Sequence, residues 1–163
     1  MKLRQWVFNA IIAALYVALT AVSAPLSFGG VQFRIAEILN HTVVFNRKYI
    51  VGILAGVFLS NLFFSPIVLY DIVFGVAHSL IALVAMRVVT RKTDNQWIRM
   101  GVNTLSFAFF SFIIAWELYL AFEFPFWFTY FTVALGEVVV MSIGMPIMKY
   151  LNEKMGFNRL MNA

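Results

Sequence analysis

From residue 6 to residue 150 the chain is a succession of apolar segments separated by short polar turns. That pattern leaves few folds open. Of its 163 residues, 63% are hydrophobic and 12% are charged, and the mean hydropathy is +0.89. Soluble domains carry about 25% charge. A globule this small buries too little surface to hide so much apolar area from water. Lipid must be the solvent for most of it. The expectation is an all-α integral membrane protein, with residues 1–163 forming a single transmembrane domain.

Six apolar segments can be read, at residues 6–22, 33–45, 49–64, 67–89, 100–122 and 126–150. A spanning helix needs about 20 residues, so the second and third are short. Ser23-Ala24-Pro25 closes the first, and a tail follows residue 150. Loop charge supports the count. With six transmembrane helices and both termini inside (N-in/C-in), every basic residue except Arg34 falls on the cytoplasmic side. If the second segment did not cross, only Lys2 and Arg4 would remain there. Pro25 directly after Ser23-Ala24 argues against a cleaved leader.

Composition also excludes function classes. The net charge of +5 is spread between apolar runs and makes no nucleic-acid groove. There is no cysteine, and the histidines are His41 and His78, so no metal site is expected. No phosphate-binding glycine loop, nucleophile elbow or H-E-x-x-H motif occurs. Neither a cofactor nor an enzymatic activity is expected.

The costly residues are the informative ones. Glu37, Asp71, Glu117 and Glu137 are four of the seven acids, and all fall inside or at the edge of apolar segments. A charge near the centre of a spanning helix costs roughly 2.5–3.5 kcal/mol on insertion scales. Such residues usually mark a path or site for a polar solute. Arg34, Glu37 and His41 follow i, i+3, i+7 spacing and would share one α-helical face. That face is either a site wall or an internal Arg34–Glu37 ion pair. Asp71, Gly75, His78 and Ser79 form a stripe on the fourth segment. Asp71 is either a first-turn acid or a ligand contact. Asn61 and Glu117 lie toward the same outer end, and Glu137 lies near the midplane, protonated or paired with His41 or Arg34. Phe33, Tyr70, Trp116, Trp127 and Tyr130 occupy that layer as an interfacial belt or as walls of a pocket. Acids outnumber Arg34, which suits a cation or a ligand rich in N–H donors.

Small residues recur every four positions at Ala10, Ala14 and Ala18, and again at Gly52, Gly56 and Ser60. Such rows let helices approach closely in lipid. Either could serve internal packing, and the alanine row could instead meet another protein.

Several of these residues stand in short motifs. Val31-Gln32-Phe33-Arg34-Ile35-Ala36-Glu37 resembles a signature of the QueT family. So do Asp71-Ile72-Val73-Phe74-Gly75, after Asn61-Leu62-Phe63, and Ala134-Leu135-Gly136-Glu137. These are substrate-binding S components of energy-coupling factor (ECF) vitamin transporters. The resemblance implies a six-helix S component of the bacterial cytoplasmic membrane with its site near the external side. Its partners would be a membrane-embedded coupling (T) subunit and two ABC ATPases, which would hydrolyse the ATP. The alanine row Ala10/Ala14/Ala18 resembles the motif that docks on the coupling subunit. The ligand would be a queuosine precursor, a 7-deazaguanine such as 7-aminomethyl-7-deazaguanine. Arg34, Glu37, Asn61, Asp71 and Glu137 would bind it, with His78, Glu117 and Trp116 behind them. Glu37 or Glu137 would accept the guanine-edge donors and Asp71 would meet the cationic amine. The alternatives are an S component for a different vitamin, or a solitary proton- or cation-coupled carrier using Glu137 and His41 as a relay.

Overall fold

A computed structural model describes residues 2–28 and 32–162. Val31, the first residue of the 31–37 motif, lies outside the described residues.

Helix α1 spans Leu3–Ser27. The Ser-Ala-Pro sequence was expected to close the helix near residue 22, but the helix runs on through Pro25. The serines explain this. Ser23 Oγ donates to Leu19 O at 2.8 Å and Ser27 Oγ to Ser23 O at 2.9 Å. Their hydroxyls are thereby satisfied within the helix, as an apolar solvent requires.

The next segment departs most from expectation. A spanning helix was expected over residues 33–45, and what forms is a 3₁₀ helix, Ile35–His41, followed by the single-turn α2, Thr42–Phe45. At about 2.0 Å per 3₁₀ residue and 1.5 Å per α residue the pair reaches roughly 20 Å, short of the bilayer core. A tight turn at Arg34, with Ile35 N–H donating to Phe33 O at 3.1 Å, precedes the pair, and a second 3₁₀ turn, Arg47–Tyr49, follows it.

Helices α3 (Ile50–Phe64) and α4 (Val68–Val89) follow, then α5 (Gln96–Phe110) and α6 (Phe112–Phe122). The last two were expected as one helix and form one kinked span. At Ser111 the backbone N–H turns to Ala108 O, three residues back, while Ser111 Oγ donates to Phe107 O at 2.9 Å. Helix α7 is long, Phe126–Met155, and the short α8, Phe157–Asn162, takes up most of the tail. Among the described residues, five helical spans are thus long and apolar enough to cross a membrane, beside the shorter apolar helix Ile35–Phe45.

The helices form a ring. α1 packs on α3, α3 on α4, α4 on α5 and α6, and these on α7. The Ile35–Phe45 segment closes the ring between α7 and α1. It is almost wholly buried, whereas the spanning helices turn most of their surface outward. Close approach rather than hydrophobic exclusion holds helices together in lipid, and glycines mark where it happens. A Cβ at Gly52 would meet Asn9 O at 2.7 Å, and one at Gly56 would meet Tyr16 Cβ at 2.6 Å. The glycine row is therefore the α1–α3 seam. Ala10, Ala14 and Ala18 face outward, which removes internal packing as the role of the alanine row.

The bundle has two unlike halves. Around Tyr49, Ile53, Leu83, Met86, Met148 and Met161 the interior is apolar. Gln5 Nε2 donates to Met161 O at 2.9 Å, so α1 begins and α8 ends at this same end. The opposite half of the interior is polar.

Candidate functional site

The polar half is assembled by α1, the 3₁₀ helix, the end of α3, the start of α4, and the interior of α6 and α7. The 3₁₀ winding decides which residues of its segment meet. With three residues per turn, Arg34, Glu37 and Asn40 eclipse one another. His41 turns away, contrary to the single face expected from α-helical spacing. Its Nε2 lies 3.0 Å from Met141 O, and its Nδ1 lies 3.4 Å from Asn103 Nδ2. Asn103 donates to Nδ1, so Nε2 carries the proton and donates to the carbonyl. Both ring nitrogens are thus used, and neither serves Glu137.

Arg34 does not pair with Glu37. Its Nη2 lies 3.1 Å from Asp71 Oδ1, joining the 3₁₀ segment to the first turn of α4. Its guanidinium also sits over the Phe28 ring, 5.7 Å from the centroid. Ser65 Oγ donates to the other Asp71 oxygen, and Asn61 Nδ2 donates to Asp71 O at 2.6 Å. Asp71 is therefore a well-partnered acid in the first turn of α4. Gly75, one turn further on, makes room: a Cβ there would meet Asn61 Nδ2 at 2.6 Å.

Glu37 is fully buried and held by two donors. Tyr16 Oη donates to Oε1 at 2.8 Å and Asn40 Nδ2 donates to Oε2. Glu117 and Glu137 are treated differently. Both are buried, at 0% and 4% exposure. Neither Glu117 oxygen has a hydrogen-bond partner among the described residues, and Glu137 Oε2 has none. Glu117 lies within electrostatic range of Asp71 and Arg34, and Glu137 of Glu37 and Arg34. The hydroxyls of Ser60 and Ser79 are also buried without partners. Buried polar groups are nearly always hydrogen-bonded, and an exception calls for an explanation. A water-sized cavity of about 10 Å³ opens between Tyr16, Thr20, Ser27, Phe28, Arg34 and Ser60.

Other expected residues lie elsewhere. His78 belongs to the interior of α4, with Nε2 at 3.0 Å from Phe107 O and its ring edge-on to Phe107. Trp116 is half exposed, stacked on Tyr119 and edge-on to Phe126 on the outside of the bundle. Tyr70 and Trp127 are also exposed. Tyr70, Trp116 and Trp127 thus belong to an outer belt, Phe33 and Tyr130 are half-buried, and the rings beside the cavity are Tyr16 and Phe28. Neither was singled out in the sequence. Tyr16 had a signal: it continues a polar stripe, Gln5, Asn9, Tyr16, Thr20 and Ser23, spaced by three, four or seven residues along α1.

Five apolar spans around a buried cluster of acids, with unused acceptors, define a multi-pass membrane protein that handles a polar solute. Comparison with known proteins narrows the class. The sequence pattern of the QueT transporter family matches residues 6–153. A queuosine precursor transporter, QueT, of Lactococcus lactis subsp. cremoris (strain MG1363) is 35% identical over 159 residues, covering 92% of this chain and 93% of the relative. The chain belongs to the QueT family, as the short motifs implied, and is a transporter rather than an enzyme. No solved structure matches it.

Proposed function

We infer that this chain is the substrate-binding S component of an ECF importer, a single transmembrane domain of a bacterial cytoplasmic membrane with both termini inside. It captures a queuosine precursor, a 7-deazaguanine such as 7-aminomethyl-7-deazaguanine, from outside. The observation that carries this reading is the set of unused carboxylate oxygens, both of Glu117 and Oε2 of Glu137, buried beside the satisfied Glu37 and the cation Arg34.

The chemistry is complementary. A guanine edge offers parallel N–H donors, which one carboxylate can accept. Glu137, with an unused oxygen next to Glu37, takes that role. The aminomethyl group is a cation and needs a carboxylate. The family resemblance assigns it to Asp71, but both Asp71 oxygens are engaged by Arg34 and Ser65. Glu117 therefore takes the amine. Arg34 donates to the ring oxygen, and Phe28 with Tyr16 covers the flat face. A ligand of this size exceeds the cavity beside Arg34, so capture includes an opening movement near Phe28. Asn61 acts by holding Asp71, and His78 by anchoring α4 to α5.

The orientation follows from charge. The apolar end of the bundle carries Arg47, Lys48, Arg87 and Arg99, and the bias of basic residues to the inner side supports a cytoplasmic position for it. The polar cluster then lies toward the outside. The coupling subunit docks on Ala10, Ala14 and Ala18, where α1 and α3 leave an outward groove of about 380 Å³ lined by Ala10, Ala14, Gly52 and Ala55. ATP is hydrolysed by two partner ATPases.

The test is uptake of labelled 7-aminomethyl-7-deazaguanine by proteoliposomes holding the chain with or without its coupling and ATPase subunits. The reading requires accumulation only with the whole assembly and internal ATP. Accumulation by the chain alone, collapsed by a protonophore, would instead establish a solitary proton-coupled carrier.

A further inference from the structure

We propose that the cytoplasmic end of the bundle holds a specific site for an anionic phospholipid. Its headgroup phosphate lies among Arg47, Arg87 and Arg99, and one acyl chain lies along Ile50, Val84 and Val88. The leaflet assignment rests on the orientation given above; the site itself does not depend on the transported ligand.

Two adjoining hollows carry the inference. The first, of about 430 Å³, is polar and is lined by Arg47, Lys48, Arg87 and Arg99 above a floor that includes Asn158 and Asn162. The second, of about 420 Å³, is lined by Arg47, Ile50, Val84, Arg87, Val88 and Arg91. Arg47 and Arg87 belong to both, so a cationic compartment opens directly into an apolar groove on the lipid-facing surface.

The topology forces the cations together. Arg47 opens the turn before α3, Arg87 is in the last turn of α4, and Arg99 is near the start of α5. Arg47 and Arg99 both act electrostatically on Arg87. Among the described residues, no carboxylate lines either hollow. Asp94 acts on Arg99 from the α4–α5 loop but makes no ion pair with it among the described residues. Arg99 Nε is buried with no hydrogen-bond partner.

The floor is pre-arranged. Asn46 Nδ2 donates to Asn158 Oδ1 at 2.8 Å, Asn162 Nδ2 donates to the same oxygen at 2.9 Å, and Lys48 Nζ donates to Asn162 Oδ1 at 3.2 Å. The arginine forks are left for an anion of matching geometry, which phosphate supplies. Basic pockets beside spanning helices at the cytoplasmic face are a recurrent way of holding acidic headgroups. The groove leading from this one selects a phosphate with an acyl chain over a free phosphate or an acidic protein segment.

Native mass spectrometry of the full chain in detergent, titrated with phosphatidylglycerol or phosphatidylcholine, tests this. The proposal requires phosphatidylglycerol adducts at a concentration at least about tenfold lower than phosphatidylcholine. Each of Arg47→Gln, Arg87→Gln and Arg99→Gln should weaken the preference roughly fivefold. Val84→Trp, which blocks the groove and leaves every charge in place, should weaken phosphatidylglycerol binding as well. Lys2→Gln with Arg4→Gln, remote from both hollows, should change nothing. Equal binding of the two lipids would overturn the proposal, as would a preference that survives the triple arginine variant. Displacement of the lipid by equimolar inorganic phosphate would show a free-anion pocket instead. Retained lipid preference with lost co-purification of a partner protein would assign the arginines to that protein.

Discussion

Arg34 Nη2 and Asp71 Oδ1 lie 3.1 Å apart in the interior, and this ion pair ties the shortest segment of the bundle to the start of α4. Each charge is stranded if the other is removed. Breaking a buried pair costs about 3–5 kcal/mol, whereas replacing both partners by apolar groups often costs little. Thermal unfolding in detergent should show Arg34→Met and Asp71→Leu each strongly destabilised. The double variant should melt above either single one. Additive losses would mean that the pair does not couple the two elements.

The motif Gly136-Glu137 has a steric origin. A Cβ at Gly136 would collide with Gln32 O, so no side chain fits unless the backbone before Arg34 moves. Gly136→Ala should therefore displace the 32–34 strap and lower both the melting temperature and ligand affinity. Gly101→Ala, with nothing within 4 Å of its Cβ, should leave both unchanged.

Glu117 is expected to oppose stability and serve binding. A buried carboxylate with no donor on either oxygen carries a desolvation penalty. Glu117→Gln should raise the melting temperature of the unliganded protein while weakening binding of the aminomethyl compound by about tenfold or more. Its effect on 7-deazaguanine lacking the amine should be small. Equal loss for both compounds would move the amine contact to another acid.

Tyr16 supports Glu37 through a 2.8 Å hydrogen bond. Tyr16→Phe removes that donor and nothing else of consequence, at a cost of about 1–3 kcal/mol. A change in melting temperature with unchanged ligand affinity would confine Tyr16 to a structural role.

The outward alanines separate binding from transport. Ala14→Trp projects into the groove between α1 and α3, away from the polar cluster. Ligand binding by the isolated chain should be unaffected and ATP-driven uptake should fall at least tenfold. Loss of binding would show instead that the substitution disturbs the bundle.

Much of this was legible in the residues, and the gaps have physical causes. The spanning helices were readable because lipid demands long apolar runs. The burial of Glu37, Asp71, Glu117 and Glu137 was readable because an ionisable group is tolerated only inside the bundle. Pairing was not. The expected Arg34–Glu37–His41 face assumed α-helical spacing, and the 3₁₀ winding sent Glu37 to Tyr16 and Asn40 and His41 to Met141. Trp116 and Glu117 are sequence neighbours about 100° apart on α6, so only one could turn inward. The charge settles that it is Glu117. Tyr16 was hidden because its neighbours in sequence are apolar; only the three- and four-residue rhythm of α1 reveals it.

The measurement that bears most directly on this account is isothermal calorimetry of 7-aminomethyl-7-deazaguanine with the purified full chain, using guanine, thiamine and riboflavin as controls. The account predicts selective binding that is lost in Glu137→Gln and weakened in Glu117→Gln. An undiminished affinity in both variants, or no binding to a folded sample, would contradict it.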